Sequence, residues 1–181
     1  MQKQGTTVLI NGVCGVGKST VGKALYKPLQ KFNFNYFDID NYVYENPDAA
    51  HGVNVYRAFG RLDKWHVDLL EKTPIRRMLK RYNLLLIDNF LSDHEARYLQ
   101  ELSDGGTLIH FILEADRGTV VDRIRKDECK DPARTAIRIN GFEYNNAYLK
   151  THFPDAIRIN TVGRTAAEIV PEIYDRITER L

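Results

Sequence analysis

The eight residues 12–19 constrain the fold of this chain more than any other segment. Their sequence, GVCGVGKS, matches the phosphate-binding pattern G-x-x-x-x-G-K-[ST] at every fixed position. A short β-rich apolar run, residues 6–10, precedes the loop, and apolar residues at helical spacing follow it from Lys18 onward. This context predicts a strand–loop–helix unit that binds the phosphates of a nucleoside triphosphate.

The residue types in this loop suit phosphate chemistry. Glycines let successive backbone N–H groups point at phosphate oxygens, and the following helix adds its positive N-terminal end. Lys18 is expected to reach the β- and γ-phosphates, and the Ser19 hydroxyl is expected to bind Mg²⁺. Cys14 stands at a variable position, where it is either a small filler residue or a thiol with a lowered pKa. The predicted nucleotide-binding residues of the loop are Gly12, Val13, Cys14, Gly15, Val16, Gly17, Lys18, Ser19 and Thr20.

The rest of the chain alternates short β-rich runs with amphipathic segments. Predicted strands at 6–10, 34–38, 84–88, 107–113 and 156–160 are separated by helical patterns, without repeats or linker-like stretches. This alternation is typical of α/β proteins. We therefore predict one domain over residues 1–181, with a five-stranded parallel sheet between helical layers.

Composition excludes several classes of function. The net charge is +2, with 26 basic and 24 acidic residues, which argues against binding duplex nucleic acid by neutralising many phosphates. No apolar run approaches the roughly 18 residues that span a bilayer. Two cysteines imply no disulfide framework, and the polar first residues lack the apolar core of a secretory signal. We expect a cytoplasmic protein; its oligomeric state is not encoded in these features.

The loop and the order of elements resemble the P-loop small-molecule and nucleotide kinases. This group includes shikimate, gluconate, adenylate and other nucleoside monophosphate kinases. The guanine-binding tetrapeptide N-K-x-D is absent, and residues 84–89, LLLIDN, lack the second acid with which ATPases activate water. The resemblance implies an ATP- and Mg²⁺-dependent phosphotransferase acting on a small acceptor. The alternative is a nucleotide-switched binding protein or slow ATPase.

Three aspartates lie at the ends of predicted strands. Residues two apart in a strand face the same side, so we expect Asp38 and Asp40 to project towards one site at the carboxyl edge of the sheet, where ligands bind in open α/β folds. The pair resembles the D-x-D of shikimate kinase, which implies that Asp38 lies near the Mg²⁺ water shell and that Asp40 holds or deprotonates the acceptor hydroxyl. By analogy with nucleotide kinases, Asp88 binds Mg²⁺ through water. Capping of the following turns is the alternative for all three.

Two arginines are candidates for the adenine side of the nucleotide. The sequence VDRI at 121–124 resembles the adenylate kinase segment whose arginine stacks on adenine, which implies that role for Arg123; a surface arginine is the alternative. Residues 161–164 fall where related kinases cradle the adenine ring, which makes Arg164 a second candidate.

The polar stretch 126–138 predicts a helical lid. Related kinases carry another arginine four residues after the adenine-stacking one, but Asp127 stands there, so contact with phosphate passes to Lys126, Arg134 or Arg138. Arg134 and Arg138 share one helical face and could neutralise charge during phosphoryl transfer, with Arg134 the catalytic candidate. Salt bridges to neighbouring acidic residues are the alternative.

The segment 41–82 is predicted to bind the acceptor. It is rich in aromatic residues, and Arg57 and Arg61 are four apart, which suits an anionic group on the acceptor. Aromatic residues at helical spacing also build cores, and Arg61 could pair with Asp63. The sequence is thus compatible with two classes of acceptor: a sugar or other metabolite with a hydroxyl group, and a nucleoside or nucleotide.

Overall fold

The structure is a computed structural model, which describes residues 5–46, 73–88, 101, 106–126 and 132–181. Its five strands are parallel and pair in the order β2-β3-β1-β4-β5. They are β1 Thr6–Asn11, β2 Phe34–Asp38, β3 Asn83–Ile87, β4 Thr107–Glu114 and β5 Ile157–Asn160. The predicted α/β fold with a five-stranded parallel sheet is confirmed, and β1, which leads into the phosphate loop, is the central strand.

Helices cover both faces of this sheet. In the described ranges they are α1 Lys18–Leu29, α2 Ile39–Glu45, α3 Ile75–Leu79, α4 Arg117–Lys126, α5 Pro132–Asn140, α6 Phe142–His152 and α7 Ala166–Thr178. One core contains buried residues of α1, α4, α6 and α7, and a second core on the opposite face contains residues of α2 and α3. The sheet is therefore the middle of three layers, as predicted.

Burial on both faces explains the continuous apolar sequence of β1. Val8 and Ile10 pack in the first core and Leu9 packs in the second, and all three side chains are fully buried. Side chains alternate between faces along a strand, so a strand covered on both sides needs apolar residues at every position. The same logic accounts for the apolar run of β3, where all residues after Asn83 are buried.

Capping determines where α7 begins. Thr165 and Glu168 form a capping box, in which the Glu168 carboxylate accepts the Thr165 backbone N–H at 2.8 Å and the Thr165 hydroxyl at 2.7 Å. Pro171 lies inside α7, and the helix continues through it. Proline this near the helix start removes a single helical hydrogen bond, which the buried face formed by Ile169 and Ile173 outweighs.

The alternation of side chains along a strand does not place Asp38 and Asp40, although the period-2 argument assumes that it does. Asp38 is the last residue of β2 and the N-cap of α2, so Asp40 lies in the first turn of a helix that the sequence did not predict. The Asp38 side chain accepts the backbone N–H of Asn41, and this hydrogen bond favours helix formation directly after the strand. The two carboxylates are thus placed by a strand-to-helix junction.

Some expectations fall outside the described residues. These are most of the predicted acceptor segment, residues 47–72 with Arg57 and Arg61, and residues 127–131 of the predicted lid. For Arg134 the structure describes the helical backbone only. Among the helices that the structure does describe, none is long and apolar enough to cross a membrane.

Close packing of α1 on β3 generates a stability prediction. A Cβ added to Gly22 would lie 2.4 Å from Cδ1 and 2.9 Å from Cγ1 of Ile87, which is itself buried. Gly22→Ala should lower the free energy of unfolding by about 1–2 kcal/mol, because overpacking outweighs the helical preference for alanine. The measurement is urea unfolding of the two proteins.

Gly118→Ala is the matched control for this helix substitution. Gly118 is exposed in the first turn of α4, and an added Cβ there would meet only Asp116 Oδ1, at 3.1 Å. The control should be neutral or slightly stabilising. Equal effects of the two substitutions would contradict the close α1–β3 contact.

Candidate active site

The phosphate loop joins the central strand β1 to α1 at the carboxyl edge of the sheet. Gly17 is the N-cap of α1, so the first N–H groups of this helix point out of its end towards the loop. Gly15 has a φ of 81°, and a Cβ there would lie 2.6 Å from Cγ1 of Ile124 in α4. Glycine is therefore required where the loop passes α4, and the resulting curl presents N–H groups suited to an anion.

The ammonium group of Lys18 lies against the start of its own loop. Its Nζ donates to the carbonyl oxygen of Gly12 at 2.7 Å and to that of Val13 at 3.1 Å. Burial lowers the pKa of Lys18, and the electrostatic effects of Cys14, Asp40, Asp88 and Asp38 act in the opposite direction. The Lys18 amino group thus lies where the loop starts, bonded to two carbonyl oxygens and within the electrostatic influence of three carboxylates.

The electrostatic effects of the three predicted aspartates all raise the pKa of this lysine. Asp40 is exposed in the first turn of α2, whereas Asp38 and Asp88 are buried. Asp88 follows β3, and its backbone N–H donates to the Ile10 carbonyl at 3.3 Å. Because β2, β3 and β1 are neighbours in a parallel sheet, their carboxyl ends bring these side chains to the same edge as Lys18.

Tyr36 is a contact that sequence reasoning missed. Its hydroxyl donates to Oδ2 of Asp38 at 3.0 Å, while Oδ1 of Asp38 accepts the Asn41 N–H. Burial, the Asp38 charge and this hydrogen bond all raise the pKa of Tyr36. The period-2 rule for strands could have found the pair, since Tyr36 and Asp38 are two residues apart in β2.

Arg123 connects the phosphate loop to the loop after β5. Its guanidinium donates to the Val16 carbonyl at 3.0 Å, to the Thr161 hydroxyl at 3.0 Å and to the Thr161 carbonyl at 2.8 Å. Thr161 is buried, and its N–H donates to the carbonyl of Glu114 at the end of β4. Thr161 belongs to the predicted 161–164 loop, but its pairing with Arg123 was missed, because nothing in the sequence connects it with an arginine 38 residues away.

Arg164 is engaged mainly with α7. It donates to Glu172 Oε2 and to the Glu168 carbonyl, each at 2.9 Å, and to the Asn160 carbonyl at 3.1 Å. These bonds fix its guanidinium at the entrance of the loop that follows β5. Arg164 and Arg123 therefore border the same side of the phosphate loop.

A cavity of about 600 Å³ lies over the phosphate loop. Its lining comprises the loop residues Cys14 to Thr20, with Val21, Asp40, Arg123, Ile124, Lys126, Arg138, Thr161, Arg164, Ala166 and Ile169. The structure thus brings together most of the described residues that were predicted for the site. Gly12, Val13, Asp38 and Asp88 do not line this cavity, although the two aspartates act on Lys18.

The acidic residues suit a shared cation rather than a protein cage. Within the described ranges no three His, Cys, Asp or Glu residues converge as metal ligands. Mg²⁺ commonly takes one or two protein oxygens and completes its shell with water and substrate phosphates. Ser19, Asp38 and Asp88 at the edge of a phosphate loop fit this second kind of site.

Comparison with known proteins adds a family to this geometry. The model of a family described as "AAA domain" matches residues 8–146. A shikimate kinase from Bacillus cereus (strain AH187) is 22% identical, over 96% of this chain and 99% of its own length.

Solved structures support the same fold. A gluconokinase from Sinorhizobium meliloti 1021 has a TM-score of 0.67 at 18% identity, over 98% of this chain and 96% of its own. A shikimate kinase from Bacteroides thetaiotaomicron has a TM-score of 0.64 at 14% identity, over 96% and 97%. At these identities the structural likeness concerns the fold.

The Arg123 contacts generate the second prediction. Arg123→Ala should lower the free energy of unfolding by about 2 kcal/mol, because it leaves the buried Thr161 hydroxyl and two carbonyls without this charged donor. Arg125→Ala, an exposed arginine on the same helix, should change it by less than about 0.5 kcal/mol. Denaturant unfolding of the two variants measures both changes. Indistinguishable unfolding curves would rule out the hydrogen bonds of Arg123 to Val16 and Thr161.

Proposed function

The chain belongs to the AAA-domain family and is a P-loop kinase, and we propose that it transfers the γ-phosphoryl group of ATP to a hydroxyl group of a small molecule. The observation that carries this proposal is the setting of Lys18, where a phosphate-binding loop and carboxylates from neighbouring strands meet at one edge. A loop alone would bind a triphosphate. Carboxylates beside it add groups that can bind a cation and accept a proton.

The proposed reaction assigns separate roles to lysine and aspartate. Loop N–H groups and Lys18 hold the β- and γ-phosphates and stabilise the charge that develops between them. Asp40 hydrogen-bonds the acceptor hydroxyl and takes its proton as the oxygen attacks the γ-phosphorus. The bond from this phosphorus to the β,γ-bridging oxygen breaks, so the products are ADP and a phosphoester.

Mg²⁺ is proposed to bind at the Ser19 hydroxyl, with Asp38 and Asp88 contacting it through water. When bound, this ion neutralises charge on the β- and γ-phosphate oxygens. Tyr36 keeps Asp38 oriented, because its hydroxyl donates to one oxygen of that carboxylate.

Arg123 and Arg164 are proposed to bind the adenine end of ATP. Guanidinium N–H groups point outward in the plane of the group, so the hydrogen bonds of Arg123 do not themselves use the planar faces with which arginine stacks on rings. Arg164 borders the same cavity on the side of α7. This arrangement supports adenine lying between α4 and the loop that follows β5.

Basic residues of the predicted lid are proposed to act on the transferred group. Lys126 and Arg138 line the cavity, and Arg134 lies one helical turn before Arg138 in α5. Cations placed here would stabilise charge at the γ-phosphoryl group, with Arg134 the proposed catalytic arginine. Arg57 and Arg61 remain proposed contacts of the acceptor.

Two considerations favour a hydroxyl acceptor. The relatives include kinases of shikimate and gluconate, which both carry several hydroxyl groups. Asp40 is exposed beside the phosphate loop, where a carboxylate can accept the proton of such a group. We therefore place hydroxylated metabolites ahead of nucleotides as acceptors, in a reaction that we expect to take place in the cytoplasm.

The third prediction concerns Asp40. In a panel of hydroxylated acids, sugars, polyols, nucleosides and nucleotides, at least one compound should raise ADP formation well above the rate without acceptor. With that compound, Asp40→Asn should lower kcat by about 100-fold or more, because the general base is lost, while ATP affinity stays within a few-fold. A coupled assay for ADP and a direct titration of ATP measure the two quantities.

Asp122→Asn is the control, since Asp122 is exposed on α4 and does not line the cavity. It should behave like the unmodified protein. If no compound stimulates ADP formation, and Asp40→Asn leaves the basal rate unchanged, the chain is a nucleotide-switched binding protein or slow ATPase instead.

A further inference from the structure

Asn11 and His110 form a buried polar pair directly beneath the phosphate loop. Asn11 is the last residue of β1 and is fully buried. Its Oδ1 accepts the backbone N–H of Gly12 at 2.7 Å, and its Nδ2 lies 3.2 Å from Nε2 of His110 in β4. His110 is level with Leu9, two residues before Asn11, so the two polar side chains lie diagonally across neighbouring strands. The proposed reaction uses neither residue.

Hydrogen-bond chemistry fixes the state of both side chains. The Gly12 N–H can only donate, so the Asn11 atom that faces it must be the amide oxygen. The Asn11 NH₂ group then faces His110, and it too can only donate. Nε2 of His110 must therefore present a lone pair, which means a neutral imidazole with its proton on Nδ1.

The surroundings of His110 favour this neutral form. Burial lowers its pKa to about 4, and the positive charge of Arg158 acts in the same direction. The Phe153 ring packs edge-on against the imidazole, with 5.0 Å between the two ring centroids. The other titratable or charged residues beside a second cavity that His110 lines are His152, Asp155 and Arg180.

Protonation would break the contact, because Nε2–H and the Asn11 NH₂ group would then both be donors. The folded-state pKa lies below the ordinary value of 6.5. Neutral His110 therefore supports the folded state fully above about pH 6.5, and this support is lost as the pH falls through about 4.

The contact extends to Lys18 through Gly12. The backbone of Gly12 is tightly enclosed: its φ is 144°, and an added Cβ would lie 2.7 Å from the Leu113 carbonyl oxygen and 2.8 Å from Val16 Cγ1. Its N–H is bonded to Asn11, and its carbonyl oxygen accepts the Lys18 Nζ at 2.7 Å. One residue thus links the buried amide to the ammonium group.

We propose that His110 and Asn11 are positioning residues of the phosphate loop. His110, as the Nδ1–H tautomer, orients the Asn11 amide, which orients the Gly12 peptide and through it the ammonium group of Lys18. The nucleotide effects rest on the proposed function, in which this loop binds ATP. The tautomer and the Asn11–His110 contact do not depend on it.

His110→Gln and His110→Met test the acceptor role against simple packing. Glutamine can place an amide oxygen near the position of Nε2, whereas methionine has similar volume but only a weak acceptor. His110→Met should weaken binding of the magnesium complex of a non-hydrolysable ATP analogue by roughly tenfold, and His110→Gln by less than about threefold.

In steady-state kinetics, His110→Met should again be impaired more than His110→Gln. In His110→Met, kcat should fall and KM for ATP should rise, while KM for the acceptor stays unchanged. A packing role would make the polar glutamine the worse substitution, so that order, or wild-type behaviour of His110→Met, overturns the proposal. Analogue binding is measured without acceptor, so failure of the kinase assignment leaves this result interpretable.

Nuclear magnetic resonance of the unmodified protein tests the tautomer without any variant. The ¹⁵N shifts of His110 should report protonated Nδ1 and unprotonated Nε2, with no titration above about pH 5. Asn11→Asp should raise the His110 pKa by at least one unit, because a carboxylate oxygen would replace the NH₂ group. A proton on Nε2, a midpoint near pH 6.5, or an unchanged pKa in Asn11→Asp would each contradict the contact.

Discussion

The interaction on which this site depends is that of the Lys18 ammonium group with its own loop. Two carbonyl oxygens, of Gly12 and Val13, accept its protons, and carboxylates at the ends of β2 and β3 act on its charge. The Lys18 ammonium group reaches these two carbonyl oxygens because the loop curls back on itself between Gly12 and Lys18. The glycines allow the loop to curl, and the parallel strand order brings the carboxylates to the same edge of the sheet.

Contacts on opposite sides keep the loop in this shape. Arg123 bonds the Val16 carbonyl from α4, and the buried Asn11 amide bonds the Gly12 N–H from beneath. Both are polar contacts in a largely apolar core, where an unpaired group would be costly. A loop fixed in advance loses little entropy when phosphates bind, and preorganised donors of this kind stabilise developing charge most effectively.

Much of the fold could be predicted from the sequence because its signals are local. The glycine spacing of the loop and the apolar run of β1 each lie within a few residues, and the structure confirms both. For Asp40, reasoning from local sequence patterns assumed a strand where the structure has a helix. The period-2 rule was extended past the end of β2, although the side chain of Asp38 caps a helix there.

Several polar contacts of the site could not be predicted, because they join distant parts of the chain. Asn11 and His110 are 99 residues apart, and Val16 and Arg123 are 107 apart. No periodicity in the sequence connects such pairs. They meet because β4 pairs with β1 in the sheet and α4 comes directly after β4. The parallel topology predicts which strand ends are neighbours, but only side-chain geometry identifies the atoms that bond.

The central claim is that this site passes a phosphoryl group to an acceptor rather than to water. Phosphorus-31 nuclear magnetic resonance of the protein with ATP, Mg²⁺ and the most stimulating acceptor tests it directly. We expect a new phosphoester resonance that grows in step with ADP, with inorganic phosphate as a minor product. Inorganic phosphate equal to ADP with every acceptor would contradict it.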